Sequence, residues 1–190
     1  MRLKAIGGGM GWVLAAGGLC LGMPVAQADH HELEAVADIV SCSDAKISGK
    51  AELEEKPSEE GIKVVEVEIE VNGLPDGKHA VHIHETGTCQ PCGAAKGHFD
   101  PGPNSNTNPD GNHPFHMGDL INIESKGGKA KLEVETTRIT LSPGPLSIFD
   151  EDGSAFIIHV NPDTYCPEGP KKGCAGGARA ACGVIRLVSD

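Results

Sequence analysis

Ile62-Lys63-Val64-Val65-Glu66-Val67-Glu68-Ile69-Glu70-Val71 decides the fold. Val65, Val67, Ile69 and Val71 alternate with Glu66, Glu68 and Glu70, so the aliphatic side chains share one face of a strand and the carboxylates the other. A strand with one dry and one wet face belongs to an antiparallel sheet. Shorter patterns of the same kind occupy 36–41, 47–53, 78–84, 120–123, 129–135, 155–160 and 183–188, with turn residues between them. No long amphipathic helix competes and no internal repeat is visible. The pattern predicts an all-β domain of eight strands, a sandwich or flattened barrel.

Two long irregular segments interrupt the strands, 87–118 and 161–181, both rich in Gly, Pro, Asn and Cys. Long loops in a compact domain usually carry function. The first follows the run His79-Ala80-Val81-His82-Ile83-His84-Glu85-Thr86-Gly87-Thr88-Cys89. On a strand His82 and His84 point the same way while Val81 and Ile83 point into a core, so the pair forms half of a rigid nitrogen site for a transition metal such as copper or zinc. His98, His113 and His116 lie in the loop, and His159 ends a run of strand formers, Ala155-Phe156-Ile157-Ile158.

The first 28 residues hold Arg2 and Lys4, an apolar stretch and Ala26-Gln27-Ala28, which reads as a secretory signal cleaved after Ala28. No membrane anchor is expected to remain. Cleavage leaves 162 residues, enough for one domain, with 29–35 a flexible leader and 36–190 the folded unit. The free terminus would read Asp29-His30-His31, an arrangement able to chelate Cu(II). The chain carries a net charge of −11, which becomes −13 once Arg2 and Lys4 are removed. That balance argues against nucleic acid as a partner, and an anionic substrate would need a local patch of positive potential. Loss of Cys20 leaves six cysteines, an even count that in an exported protein suggests disulfides but permits fifteen pairings.

Five segments in order now carry a specific resemblance. They are His82 to Cys89, Gly97-His98-Phe99-Asp100-Pro101, His116-Met117-Gly118-Asp119-Leu120, the strand ending in His159, and Gly176-Gly177-Ala178-Arg179-Ala180-Ala181-Cys182-Gly183-Val184-Ile185. Together they resemble the copper/zinc superoxide dismutases of the exported bacterial type, a Greek-key β-sandwich whose members dismute superoxide with copper and zinc. The resemblance implies His82, His84, His98 and His159 as copper ligands. It implies His98, His116 and Asp119 as zinc ligands, with the His98 ring bridging the metals, and Asp163 as a carboxylate linking ligand histidines of the two sites. Arg179 matches the arginine that holds the anion, and Lys171 and Lys172 precede it in the same loop, where they could focus the field or simply face solvent. Cys89 and Cys182 match the family disulfide; Cys92 is a rival partner, Cys166 could close on Cys174, and Cys42 would then be left with Cys92.

One position departs from the pattern. Where the family has its remaining zinc histidine this chain has Asn106, and the nearest substitute is His113. That departure keeps a copper-only dismutase in view, while His116 and Asp119 argue against it. A non-catalytic copper or zinc carrier on the same fold is the other alternative, although Arg179 and all four copper histidines are present. Ala80 and Val81 also replace the usual residues after His79. The expected setting is the periplasm, as a monomer or homodimer.

Overall fold

The computed structural model describes residues 32–43, 45–57, 60–102 and 105–189. The signal segment and Asp29-His30-His31 lie outside them. Ten strand segments form one antiparallel sheet: β1 (Leu33–Ser41), β2 (Ser48–Pro57), β3 (Lys63–Asn72), β4 (Gly77–His79), β5 (Val81–His84), β6 (Ile123–Lys126), β7 (Lys129–Thr136), β8 (Ala155–His159), β9 (Arg179–Val184) and β10 (Arg186–Leu187). The hydrogen-bonded order is β4-β6-β7-β3-β2-β1-β9-β8-β5, with β10 beside β1.

The two ends of that order, β4 and β5, are consecutive in the chain. The run 78–84, expected as one strand, pairs with β6 through its first half and with β8 through its second, so a single segment closes the barrel. It divides at Ala80, whose carbonyl accepts from the His159 N–H and whose N–H donates to Asn161. The expected strand 183–188 likewise becomes β9 and β10, parted at Ile185, which is buried and donates its N–H to the Ser154 carbonyl. The expected eight runs thus give ten segments, and the all-β class and barrel architecture stand as read.

Several boundaries differ from expectation, and β2 runs on to Pro57 rather than stopping at 53. β1 starts at Leu33, inside the stretch read as leader, because Ala35 pairs with Leu53 and Leu187 and is buried. β9 starts at Arg179, so the second long loop ends at 178; Ala181 has little strand propensity but is fixed by Ser41 on one side and Ile158 on the other, while Ala180 is the extra residue where the register shifts between Ile158 and His159. β6 occupies 123–126 rather than 120–123, because the Asn122 side chain pairs with the Asp163 backbone in place of a ladder partner.

Alternation fills the barrel. β3 contributes Val65, Val67, Ile69 and Val71, β5 contributes Val81 and Ile83, and β8 contributes Phe156 and Ile158. The opposite face of β5 and β8 carries His82, His84, Ala155, Ile157 and His159, yet these are buried as well. The first long loop folds over that face; its one short 3-10 turn, Cys92–Ala95, sits with Ala155, Ile157 and Cys182 in a small second cluster beside Cys42 and Cys89. Two disulfides tie this layer down, Cys42–Cys92 and Cys89–Cys182, and a third, Cys166–Cys174, closes the second long loop on itself. The first two fasten the loop to β1 and β9, which restricts the unfolded chain as well as the loop.

Candidate metal centre

β5 and the end of β8 present three imidazoles whose tautomers the fold decides. His84 Nδ1 donates to the Lys96 carbonyl at 3.0 Å and His159 Nδ1 to the Gly177 carbonyl at 2.9 Å. His82 uses its other nitrogen, Nε2, to donate to Asp163 Oδ2 at 3.1 Å. In each ring the proton is spent on a fixed acceptor, which leaves the opposite nitrogen with its lone pair. His82 Nδ1 and His159 Nε2 stand 3.2 Å apart, and His84 Nε2 is buried with no hydrogen-bond partner.

His98 completes this group. It is drawn to β5 by a bridge between His84 and His98, and His82, His84, His98 and His159 offer ligand atoms all within 4.8 Å of one another. Burial holds the His82 ring down to about 3 and His159 to about 4, in each case against a hydrogen bond that pulls the other way. Burial also lowers His84 and His98, where the neighbouring rings add to it for His84 and Asp119 opposes it for His98. All four are therefore neutral at pH 7, as ligation requires.

A second group shares the His98 ring. Its Nδ1 lies 2.7 Å from Asp119 Oδ1 and 3.3 Å from His116 Nδ1, while its Nε2 is buried without a partner. His116 Nδ1 is 2.9 Å from Asp119 Oδ2. The loop after Asn106 brings His113 in: it is buried, its Nε2 donates to Asp163 Oδ2 at 2.6 Å, and its Nδ1 sits 3.1 Å from Asp119 Oδ2 without hydrogen-bonding geometry. Asn106 itself is exposed, accepting from the Asn108 N–H and donating its own N–H to Asp100. By mutual proximity alone it is His82, and not His116, that groups with His98, His113 and Asp119. His116 is the better fourth member, because His82 has Nε2 committed to Asp163 and turns Nδ1 to His159.

Asp163 joins the two groups, accepting from His82 and His113 on one oxygen and from the Tyr165 N–H on the other. Burial would raise its carboxyl, but His113 and His82 outweigh that and hold it well below the usual range. Asp119 is lowered likewise, by His113, His116 and His98 against its burial. Burial lowers His113 too, but Asp119 and Asp163 overcome this and raise it to about 9.

Arg179, at the start of β9, is half buried and donates through Nη1 to the Cys92 carbonyl and through Nη2 to the Lys96 carbonyl. Lys96 has φ 59, an uncommon conformation for a non-glycine residue, and its carbonyl thereby receives both Arg179 and His84. Arg179, His159 and Lys172 line one open depression of ≈ 320 Å³. Every residue expected at the site is thus gathered at one place except Lys171, which lines a neighbouring hollow with Cys166 and Cys174.

The family model for copper/zinc superoxide dismutase matches residues 47–185. The chain belongs to that family. It is 38% identical over 164 residues to superoxide dismutase [Cu-Zn] 2 of Aquifex aeolicus, covering 82% of this chain and 88% of that protein. It is 36% identical over 159 residues to the superoxide dismutase [Cu-Zn] of Deinococcus radiodurans, covering 76% and 80%. Among solved structures, that of the clock protein EA4 superposes with a TM-score of 0.62 at 28% identity, covering 82% of this chain and 94% of that one. The activity of this copper/zinc superoxide dismutase is therefore the disproportionation of superoxide, with copper and zinc as its cofactors.

The donor sets fit those metals. Lone pairs from four neutral rings suit copper, and three Nδ1 atoms with one carboxylate suit zinc. Buried nitrogens with no hydrogen-bond partner, His84 Nε2, His98 Nε2 and His113 Nδ1, otherwise carry an unpaid desolvation cost. Two contributors escaped the sequence reading: Asn122, which brackets the Asp163 backbone through N–H and carbonyl alike, and Arg138, which reaches the carbonyls of Pro114, His116 and Asp119. Neither belongs to a motif, and both act on main-chain atoms.

Proposed function

We propose that His82, His84, His98 and His159 hold the copper, that His98, His113, His116 and Asp119 hold the zinc, and that the shared His98 ring makes the two sites one centre. Copper supplies the one-electron exchange with superoxide, and zinc a second positive charge that fixes the shared ring. The observation that carries the reading is the two-sided His98 ring, with Nδ1 against Asp119 and His116 and Nε2 buried and bare.

The protein's own groups do the rest. Arg179 binds superoxide from the open depression; its planar, fully ionised guanidinium is already aimed by the Cys92 and Lys96 carbonyls. Lys172 adds to the local field that an otherwise acidic surface needs to admit an anion. His98 Nε2 takes up a proton and gives it to the second superoxide, so that two superoxide anions and two protons become O2 and H2O2. Asp163 keeps His82 and His113 in their working tautomers throughout.

Three disulfides suit an oxidising compartment, and with the amino-terminal signal they support export to the periplasm after cleavage behind Ala28. The test is to count copper and zinc per chain in protein lacking residues 1–31, and to follow superoxide decay in wild type and His113→Ala. One copper and one zinc with rapid decay are expected, and loss of zinc from the variant. Copper bound without activity would leave a carrier, full activity without zinc a copper-only enzyme, and unchanged zinc in His113→Ala would remove that ring from the ligand set.

A further inference from the structure

Arg138 lies two residues past β7, outside the loop that carries the zinc histidines, yet its side chain is spent on that loop. Nη1 donates to the Pro114 carbonyl at 3.3 Å and the His116 carbonyl at 3.0 Å, and Nη2 to the Asp119 carbonyl. Among the described residues its guanidinium forms no ion pair, whereas the exposed Arg186 is matched to Asp38. Two of the three carbonyls belong to residues whose side chains enter the second histidine group, and Pro114 directly follows the third, His113.

We propose that Arg138 is a positioning residue for zinc, setting the backbone from 114 to 119 so that the Nδ1 atoms and the Asp119 carboxylate meet at one point. This rests on His98, His113, His116 and Asp119 being the zinc ligands. The segment is neither strand nor helix: Gly118 bonds to Ile83 and Phe99, a single bridge pairs Asp119 with His82, and the His116 carbonyl takes the Asp119 N–H, so no continuous ladder sets the Pro114, His116 and Asp119 carbonyls. Turning the peptide after His116 or Asp119 swings the Cβ of its own residue, and with it the ligand atom. A planar five-donor fork can fix three carbonyls at once, which a single ammonium cannot. Charge does not explain the placement, since a cation beside a zinc site opposes the metal's own charge. The benefit is geometric.

The test uses metal-free full-length protein and zinc alone, with zinc affinity measured by competition against a chromophoric chelator and the ligand field read from the Co(II)-substituted protein. Arg138→Met is expected to weaken zinc about 10- to 100-fold, the range seen for groups that orient ligands, and to change the Co(II) spectrum. Arg138→Lys is expected to recover part of both. Thermal unfolding of the metal-free variants separates this from general loss of stability. Wild-type affinity and spectrum in Arg138→Met would overturn the proposal, as would a lower metal-free melting temperature with zinc affinity unchanged. If Arg138→Met does not fold, an unaltered Arg138→Lys overturns it equally. Asp119→Asn is the control for the underlying ligand set, and zinc held there at wild-type affinity would sink that reading first.

Discussion

Asp163 puts one carboxylate oxygen against two rings, His82 and His113, that belong to different metal groups. Asp163→Asn keeps the volume but removes the charge and one of the two acceptor oxygens, so the two rings and the Tyr165 N–H can no longer all find an acceptor. We expect zinc affinity to fall about 10- to 100-fold, measured by chelator competition, with superoxide decay impaired at limiting zinc. Arg179→Gln should reduce the second-order rate of superoxide decay by about 10- to 100-fold, the loss of one charge-assisted contact, with metal content unchanged; a parallel loss of copper would mean that Arg179 shapes the site rather than receiving the anion. At this scale most of the residues that gather in the candidate site were legible, because histidines two apart on a strand and a histidine after four strand formers have fixed directions. His113 was legible only as a substitute for Asn106. What could not be read were the groups acting through main-chain carbonyls, such as Lys96, because a carbonyl has no side-chain signature.

β5 and β8 carry the core on one face and the histidines proposed to hold copper on the other, so packing defects on the first face should reach the second. Ile83 is fully buried and flanked in sequence by two of those histidines. Ile83→Ala should cost about 2 to 5 kcal/mol in urea unfolding, with weaker copper retention; lost stability with unchanged copper binding would show that the two faces are independent. Elsewhere β2 sends Glu55 into the loop after β7, where its buried carboxylate accepts from Lys63, Leu141 and Ser142. Burial alone would raise this carboxyl, but Lys63 and Ser142, with Leu141, hold it below its ordinary value. A depressed folded value means that the ionised group stabilises the fold fully above the unfolded value, and that this is lost as pH falls through the folded one. Glu55→Gln should therefore cost about 1 to 3 kcal/mol at pH 7, and the gap to wild type should close below about pH 4. A gap independent of pH would remove the charge from the explanation. The strands themselves were readable from alternation; their ends were not, since Ala35 and Ala181 hold strand positions through partners rather than propensity.

For the whole molecule, charge is unevenly spent. The wet face of β2, β3 and β7 sets glutamates opposite one another, Glu52 with Glu68, Glu54 with Glu66, Glu66 with Glu135 and Glu68 with Glu133. Lys56 and Lys131 bridge some of them, but the chain's net charge of −11 leaves repulsion in excess. Added NaCl should accordingly raise the thermal midpoint by about 2 to 5 °C between 10 mM and 0.5 M, whereas a fall would mean that the bridges outweigh the ladders. The anion's approach to Arg179 should slow over the same range as its local attraction is screened.

The segment 77–84 closes the barrel as one stretch of chain, gripping β6 with one half and β8 with the other. It is therefore the seam of the molecule, and the proposed copper site straddles it: His82 and His84 are on one lip, His159 is on the other. With copper held as proposed, stripping it would loosen the seam, and an opened seam presents two bare edges, Val81–His84 and Ala155–His159. Free edges of that kind pair with whatever strand is nearest, including another copy's, so metal loss in this chain is a hazard to solubility as much as to catalysis.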